Sequence, residues 1–210
     1  MKKTSCLSIL LLLIGFLFVT CSKNTVTRRY YIIELKGETG QARPLEPAFD
    51  YKVDVRNFLV ASAYDQTRIA LRTKSHELIY YFYHHWAVKP SYSVADFVYE
   101  IVEQRNMFGR LRRGISYNPD YIITGEVKSI ERLDIKKETF AHVHMLLELR
   151  EAESEQTLLQ YQEDQQLPLE RDTSMNAFAF KISEILIHMT DEFLQRVEDN
   201  LNKDVNRSSE

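Results

Sequence analysis

The feature that most constrains the fold is an apolar side chain at every second position over residues 141–149, alternating with mainly polar ones. Successive side chains of an extended strand point to opposite sides, so the alternation predicts a β-strand with one apolar face. The apolar positions are Ala141, Val143, Met145, Leu147 and Leu149. The charged segment from Glu151 to Gln156 predicts a turn into another strand over residues 157–162, so that the two strands form a hairpin.

Shorter patterns upstream predict more strands. Residues 30–35 (YYIIEL) are mainly β-branched and aromatic, which predicts a short buried strand ahead of a loop containing Gly and Pro. Residues 51–60 alternate until the apolar positions change parity, and a β-bulge near Arg56-Asn57 would explain this change. A further strand over residues 121–130 follows the turn Asn118-Pro119-Asp120.

A second hairpin is predicted around residues 73–76. Its first arm, residues 67–71, alternates between apolar and polar side chains. Its second arm, residues 77–83, contains LIYYFY, which is apolar on both faces. We therefore expect the second arm to be a central strand of the sheet.

Two amphipathic helices are predicted from apolar positions at helical spacing. Ser93 and Asp96 resemble a capping box for a helix from Val94 to about Arg105. The segment Asp172-Thr173-Ser174 supplies N-cap residues for a long C-terminal helix. The apolar stripe of that helix is Phe178, Ile182, Ile185, Met189, Phe193 and Val197.

The order strands, helix, strands, helix predicts the α+β class. We expect a single domain over residues 30–201, in which a mixed sheet of about six or seven strands packs against two helices. Residues 202–210 form a polar tail that we expect to be frayed.

The first 21 residues predict export. A positive start, Met1-Lys2-Lys3, precedes an apolar run over residues 7–19, which fits a secretory signal and is too short to span a bilayer comfortably. The run ends in Phe18-Val19-Thr20-Cys21, which resembles a lipobox, the signal at which a bacterial lipoprotein is lipidated on its Cys and cleaved before it. The alternative is an uncleaved membrane anchor with an incidental Cys.

On the lipobox interpretation, residues 1–20 are a signal peptide and residues 21–29 are a lipidated Cys21 with a polar tether. Several acyl chains on one Cys would hold the domain stably at a membrane. Ser22 follows the Cys where an Asp commonly means inner-membrane retention in proteobacteria. We therefore expect a periplasmic domain anchored to the outer membrane.

Composition excludes several classes of function. Both cysteines, Cys6 and Cys21, lie in this leader segment, so the downstream domain has no disulfide, Cys metal ligand or Cys nucleophile. Loss of Lys2 and Lys3 with the signal would leave 25 basic against 30 acidic side chains. Nucleic acid is therefore not an expected partner, because its phosphates require a basic face.

The histidines are weak candidates for metal binding. The segment His76-Glu77-Leu78-Ile79-Tyr80 lacks the second His of the H-E-x-x-H zinc motif, so a hairpin turn explains it better. His142 and His144 share one face of a predicted strand and can share a metal, but no third ligand can be located. Half-exposed histidines on a sheet face are the favoured interpretation, and we expect neither metal nor cofactor.

No recognisable catalytic pattern is present. The sequence has no G-x-S-x-G elbow and no glycine-rich phosphate loop, so we expect a protein that is not an enzyme. Trp86, the only Trp, either lines a ligand groove or caps the core, and the core-edge interpretation is favoured.

One segment concentrates positive charge: Arg105, Arg110, Arg112 and Arg113 bracket Met107-Phe108 and Leu111. Arg110, Arg112 and Arg113 are candidate contacts for anionic lipid headgroups or an acidic partner. The favoured alternative is a charged loop after a helix, since Arg near a helix C-terminus is stabilised by the helix dipole.

The order of these segments resembles the ABC-type transport auxiliary lipoproteins, which include the PqiC-like proteins. The stretches that carry the resemblance are the lipobox, YYIIEL, VDVRNFLV at 53–60, residues 64–90 and NPDYIITGEVKSIERLD at 118–134. Its most telling positions, termed the family-pattern residues below, are Tyr64, Asp65, Arg68, Arg72, Tyr80 with Tyr81, Trp86 and Pro90.

The resemblance implies an anchored, non-enzymatic, homo-oligomeric component that links an inner-membrane ATPase, permease and MCE-domain protein to the outer membrane. Phospholipid is a candidate ligand. The family-pattern residues would shape its surface or the core beneath. The alternative is a structural or assembly lipoprotein of the envelope that binds protein only, and a periplasmic hydrolase is a third, less favoured class.

Overall fold

The computed structural model describes residues 27–35, 46–116 and 118–208, without the side chains of residues 204–208. These residues form nine strands and two helices. In chain order they are β1 Arg29–Tyr31, β2 Phe49–Val55, β3 Leu59–Val60, β4 Arg68–Lys74, β5 Glu77–Trp86, α1 Pro90–Arg105, β6 Phe108–Arg113, β7 Tyr121–Ile135, β8 Glu138–Glu151, β9 Thr157–Pro168 and α2 Met175–Ser208.

The long strand β7 organises a mixed sheet. Along one edge it pairs with β8, which pairs in turn with β9, and both pairings are antiparallel. Along its other edge β7 pairs in succession with β2, β3 and β4, each of them parallel. Strand β6 lies outside β2, while β5 and then β1 lie outside β4. The predicted α+β class is confirmed.

The described residues contain nine strands, more than the six or seven we expected. One addition is β3, which a break separates from β2. The other is β6, a segment that the sequence analysis favoured as a charged loop. Its alternate arginines, together with the Gly at position 109, hide the apolar pattern of a strand.

The predicted bulge near Arg56-Asn57 is present. Val55 is the register partner of Ile123, and Leu59 is the register partner of Glu126. Four residues of one edge therefore oppose three residues of β7, which inserts one extra residue and reverses the side-chain alternation.

The structure corrects the position of β5. Only its last three residues, from His84 to Trp86, pair with β1, so among the described residues the rest of the strand lies at an edge rather than at the centre. Its apolar side chains are accordingly exposed: Ile79 is 42% exposed and Phe82 is 66% exposed. Strand β1 is also shorter than expected, and of its three residues only Tyr31 is buried.

Helix α1 begins one turn earlier than predicted. Pro90 occupies its first turn, where the missing N–H costs nothing, and no side chain caps it. Ser93 donates its hydroxyl to the carbonyl of Lys89 instead, and Asp96 forms an ion pair with Arg113. The expected capping box is therefore wrong.

Helix α2 begins as predicted. The hydroxyl of Ser174 accepts a hydrogen bond from the backbone N–H of Ala177 at 3.2 Å, which satisfies an otherwise unpaired helical donor. The helix continues to Ser208, past the start of the expected polar tail. None of the described helices is long and apolar enough to cross a membrane.

Both helices pack on one face of the sheet and contact each other. The predicted apolar stripe of α2 is fully buried at all six positions. Arg105 of α1 donates to Asp191 of α2 at 2.7 Å and joins the two helices. The opposite face, termed the open face below, carries no helix among the described elements, and polar side chains collect there.

Candidate functional site

The lipidation residue, Cys21, lies outside the residues that the structure describes, so lipidation remains a prediction. Two features of the described domain are candidate sites. One is a polar cluster on the open face, and the other is a groove along the edge of β6 at which no described strand pairs.

A turn over residues 61–67 folds onto the open face. The backbone N–H of Tyr64 donates to the carbonyl of Ala61 at 2.7 Å, which closes the turn. The Tyr80 hydroxyl donates to the carbonyl of Ala63 at 3.0 Å and ties the turn to β5. These bonds leave the Tyr64 side chain only 7% exposed and place its hydroxyl above β7.

Glu131 of β7 is the centre of the polar cluster. Its carboxylate is 2% exposed and accepts hydrogen bonds from Tyr64 at 2.9 Å and from Nε of Arg72 at 2.9 Å. Nδ1 of His142 lies 3.1 Å from the same carboxylate, and Nε2 of His142 lies 2.7 Å from Asp164 of β9. We call these five residues, Tyr64, Arg72, Glu131, His142 and Asp164, the Glu131 cluster.

The cluster closes on itself. Nη2 of Arg72 donates to the hydroxyl of Tyr64 at 2.7 Å, so two of the three groups that contact Glu131 also contact each other. The cluster links the 61–67 turn to strands β4, β7, β8 and β9. Buried charges are tolerated when they are paired and hydrogen-bonded in this way.

Mutual contact shifts the pKa values of the cluster. Burial opposes ionisation of Glu131, but hydrogen bonds from His142, Arg72 and Tyr64 outweigh it and lower the pKa of this carboxyl. Burial likewise opposes protonation of His142, yet its hydrogen bonds to Glu131 and Asp164 raise the pKa of the imidazole. Burial, with the charge of Glu131, raises the pKa of Tyr64 to about 12.

These shifts favour the ion-paired state. A carboxylate with three donors is a weak base, and a tyrosine whose pKa is raised is a weak acid, so the geometry suits structural pairing better than proton transfer. Both ring nitrogens of His142 are occupied by carboxylates. Among the described residues, no group of three or more His, Cys, Asp or Glu is arranged to hold a metal ion.

The structure brings part of the family pattern together on the open face. Tyr64 and Arg72 belong to the Glu131 cluster, and the guanidinium of Arg68 lies 5.0 Å above the ring of Tyr80. Asp65 lies in the covering turn, where its buried Oδ1 accepts no hydrogen bond from the described residues.

Trp86 and Pro90 lie apart from this face. Trp86 is 2% exposed, and its ring centroid lies 5.7 Å from that of Phe178 in α2. Pro90 is buried at the start of α1. The core-edge interpretation of Trp86 therefore agrees with its position.

Sequence reasoning missed Glu131. Glu131 lies one residue beyond the strand predicted over residues 121–130, and the available signal was this acidic residue between apolar Ile130 and Leu133. The partners of the Glu131 carboxylate could not be predicted from the neighbouring sequence, because Tyr64 and Arg72 lie 67 and 59 residues away in the chain.

The second feature, termed the edge groove below, runs along β6 and has a volume of about 970 Å³. Arg110 and Arg112 line it, and Lys52 of β2 is the register partner of Arg110. Leu111, Ile115 and Tyr99 add apolar surface. The groove therefore combines cationic and apolar walls.

The four arginines of the basic segment have different surroundings. Arg105 binds Asp191, and Arg113 binds Asp96 and Asn57 at 2.7 Å each, so both have structural partners. Arg110 and Arg112 are exposed, and their guanidiniums form no hydrogen bond or ion pair with any described residue.

Comparison with known proteins shows the fold. No family model matches the chain, and no curated protein matches it. The crystal structure of a Xanthomonas campestris protein of the family DUF330 aligns with a TM-score of 0.71 and 18% identity, and covers 85% of this chain and 99% of that one. The crystal structure of an uncharacterized protein aligns with a TM-score of 0.59 and 11% identity, over 81% of this chain and 99% of that one.

Proposed function

We propose that this chain is a lipid-anchored periplasmic accessory component of an ABC transport system of the MCE type, which moves lipid or a hydrophobic solute. In this proposal the protein docks to an MCE-domain protein with its ATPase and permease and acts by binding rather than by bond chemistry. Cys21 carries the anchor that holds it to the outer membrane, and the domain works as a homo-oligomer.

The observation that carries this proposal is the agreement between the sequence resemblance and the fold match. The PqiC-like proteins belong to DUF330, and the DUF330 structure is covered over 99% of its length by this chain. The resemblance rests on residues such as Tyr64 and Arg72, which the structure places in direct contact.

The arrangement of the described residues is compatible with docking. The side chains of the Glu131 cluster form hydrogen bonds with one another, and this arrangement suits a rigid support better than a reaction centre. Exposed apolar side chains outside the edge groove, including Phe82 and Leu59, offer surface to a partner.

The proposal is tested by recovering the protein with its neighbours. The full-length protein, tagged at its C-terminus, is expressed at native level, mildly cross-linked in membranes, purified and examined by mass spectrometry beside a Cys21→Ala control. Recovery of an MCE-domain protein or its ATPase with the wild type supports the proposal. Recovery of other envelope proteins without any transporter subunit, at every cross-linker level, supports the structural lipoprotein instead.

A further inference from the structure

The edge groove contains two arginines, Arg110 and Arg112, whose side chains have no ionic partner among the described residues. Arg110 and Arg112 are alternate residues of β6, so their side chains lie on the same side of the strand, about 7 Å apart along it. Neither guanidinium forms a hydrogen bond or ion pair with any described residue, whereas that of Arg113, one position further, binds Asp96 and Asn57. The guanidiniums of Arg110 and Arg112 are therefore free to bind an anion.

The local charge favours an anionic ligand. Lys52, in register with Arg110, adds a third cation to the same lining. The one carboxylate of the lining, Asp54, is 1% exposed and accepts hydrogen bonds from the backbone N–H and the hydroxyl of Ser116 at 2.7 and 2.6 Å. Asp54 is the register partner of Arg112 and keeps its negative charge. Apart from Arg113, which pairs with Asp96, the lining therefore has three cations against one carboxylate, and the guanidiniums of Arg110 and Arg112 have no ionic partner among the described residues.

The apolar wall narrows the class of ligand. Ile115, which lines the same groove, is 85% exposed, whereas Leu111 alternates with the two arginines and packs against the core. A free inorganic anion would use only the guanidiniums, whereas an amphiphilic anion would use both kinds of surface. Arginine guanidiniums bind phosphate with paired donors, and phosphate esters of glycerol lipids join such a group to apolar chains.

We propose that the edge groove binds an anionic phospholipid, with Arg110 and Arg112 on the headgroup phosphate and Ile115 beside the glycerol ester region. This inference rests on the membrane anchor of the proposed function, which would keep the groove close to a lipid surface. It goes beyond docking, because it assigns a lipid contact to named residues of this chain.

The test is native mass spectrometry of the full-length protein in a non-ionic detergent, with phosphatidylglycerol or phosphatidylcholine titrated in. The wild type should carry phosphatidylglycerol in preference to phosphatidylcholine. The variant Arg110→Gln/Arg112→Gln should bind phosphatidylglycerol about tenfold more weakly, the loss expected for charge-assisted hydrogen bonds. The control Lys136→Gln/Lys137→Gln removes two exposed positive charges at the β7–β8 turn, outside the groove, and should bind like the wild type.

Two further measurements separate lipid from free phosphate. The variant Ile115→Ser changes an exposed side chain and should weaken phosphatidylglycerol binding, while millimolar inorganic phosphate should not displace the lipid. Displacement by phosphate together with normal binding by Ile115→Ser would overturn the lipid assignment in favour of a small-anion site. Equal phosphatidylglycerol binding by both double variants, or no preference over phosphatidylcholine, would overturn the site itself.

Failure of the lipid assignment can be distinguished from failure of the proposed function. If Arg110→Gln/Arg112→Gln retains transporter subunits but loses phosphatidylglycerol, both proposals stand. If it loses the subunits and keeps the lipid, the groove is a protein-docking surface and the lipid assignment is wrong. Thermal unfolding of each variant verifies that the fold is intact.

Discussion

Nε of Arg72 lies 2.9 Å from Oε1 of Glu131, and this ion pair joins the parallel strands β4 and β7 where the carboxylate is 2% exposed. The same guanidinium reaches the hydroxyl of Tyr64, which itself donates to Glu131. The pair thus holds the covering turn of residues 61–67 against the open face. The polar side chains of Tyr64, Arg72 and Glu131 therefore hold one another in place.

Arg72→Gln is expected to lower the free energy of unfolding by about 3 kcal/mol, because it leaves a buried carboxylate with fewer donors. Urea unfolding measures the change. Arg68→Gln is the matched control on the same strand, since Arg68 stacks on Tyr80 near the surface, and its loss should cost about 1 kcal/mol or less. Equal costs for the two substitutions would contradict the importance assigned to the Glu131 pair.

His142 should make stability depend on pH. Its pKa is raised in the folded state above the ordinary value of 6.5. The stabilisation is therefore fully present below that value and is lost as the pH rises through the folded-state pKa. The difference in unfolding free energy between the wild type and His142→Gln should be larger at about pH 6 than at about pH 8.5.

The comparison with His142→Gln isolates one histidine. The pKa of His84 is lowered by burial and by nearby cations, and its effect is common to both proteins. A difference between wild type and variant that does not change with pH would show that the imidazole is not held by Glu131 and Asp164 as described.

Trp86→Ala should destabilise the domain by about 3–5 kcal/mol, because it opens a cavity against Phe178 in the core. Thermal unfolding should show a large fall in melting temperature. Trp86→Phe, which keeps most of the apolar volume, should lose less. If Trp86→Ala lowered partner binding while leaving the melting temperature unchanged, Trp86 would be a binding residue and its core assignment would be wrong.

Cys21→Ala should abolish incorporation of labelled palmitate and release of the signal peptide at this site. Cell fractionation and metabolic labelling measure both. Cys6→Ala is the control, since Cys6 lies within the apolar segment of the predicted signal. Persistent labelling of Cys21→Ala would contradict the lipobox interpretation.

The sequence pattern predicted the structural elements that are determined by residues close together in the chain. The β4–β5 hairpin, the N-cap at Ser174 and the bulge after Val55 all follow from residues close in sequence. The edge position of β5 could not be predicted in this way, because it depends on how little of β1 pairs with it. Strand β6 was missed because its arginines interrupt the apolar pattern.

The candidate sites were predicted only in part, because their central contacts join residues that are distant in the sequence. Tyr64, Arg68, Arg72 and Tyr80 were identified by resemblance, but their centre, Glu131, depends on contacts between distant segments. The basic segment was identified by charge alone. Only the structure separates Arg110 and Arg112, whose guanidiniums line the edge groove with no ionic partner in the described part of the chain, from Arg113, which is paired with Asp96.

The most direct test of the account is the recovery of transporter subunits with the full-length protein from native membranes. The amount of MCE-domain protein per tagged chain should be high for the wild type and lost for Cys21→Ala, because the anchor places the domain at its site of docking. Recovery of envelope proteins alone, with no MCE-domain protein or ATPase at any cross-linker concentration, would contradict the central claim.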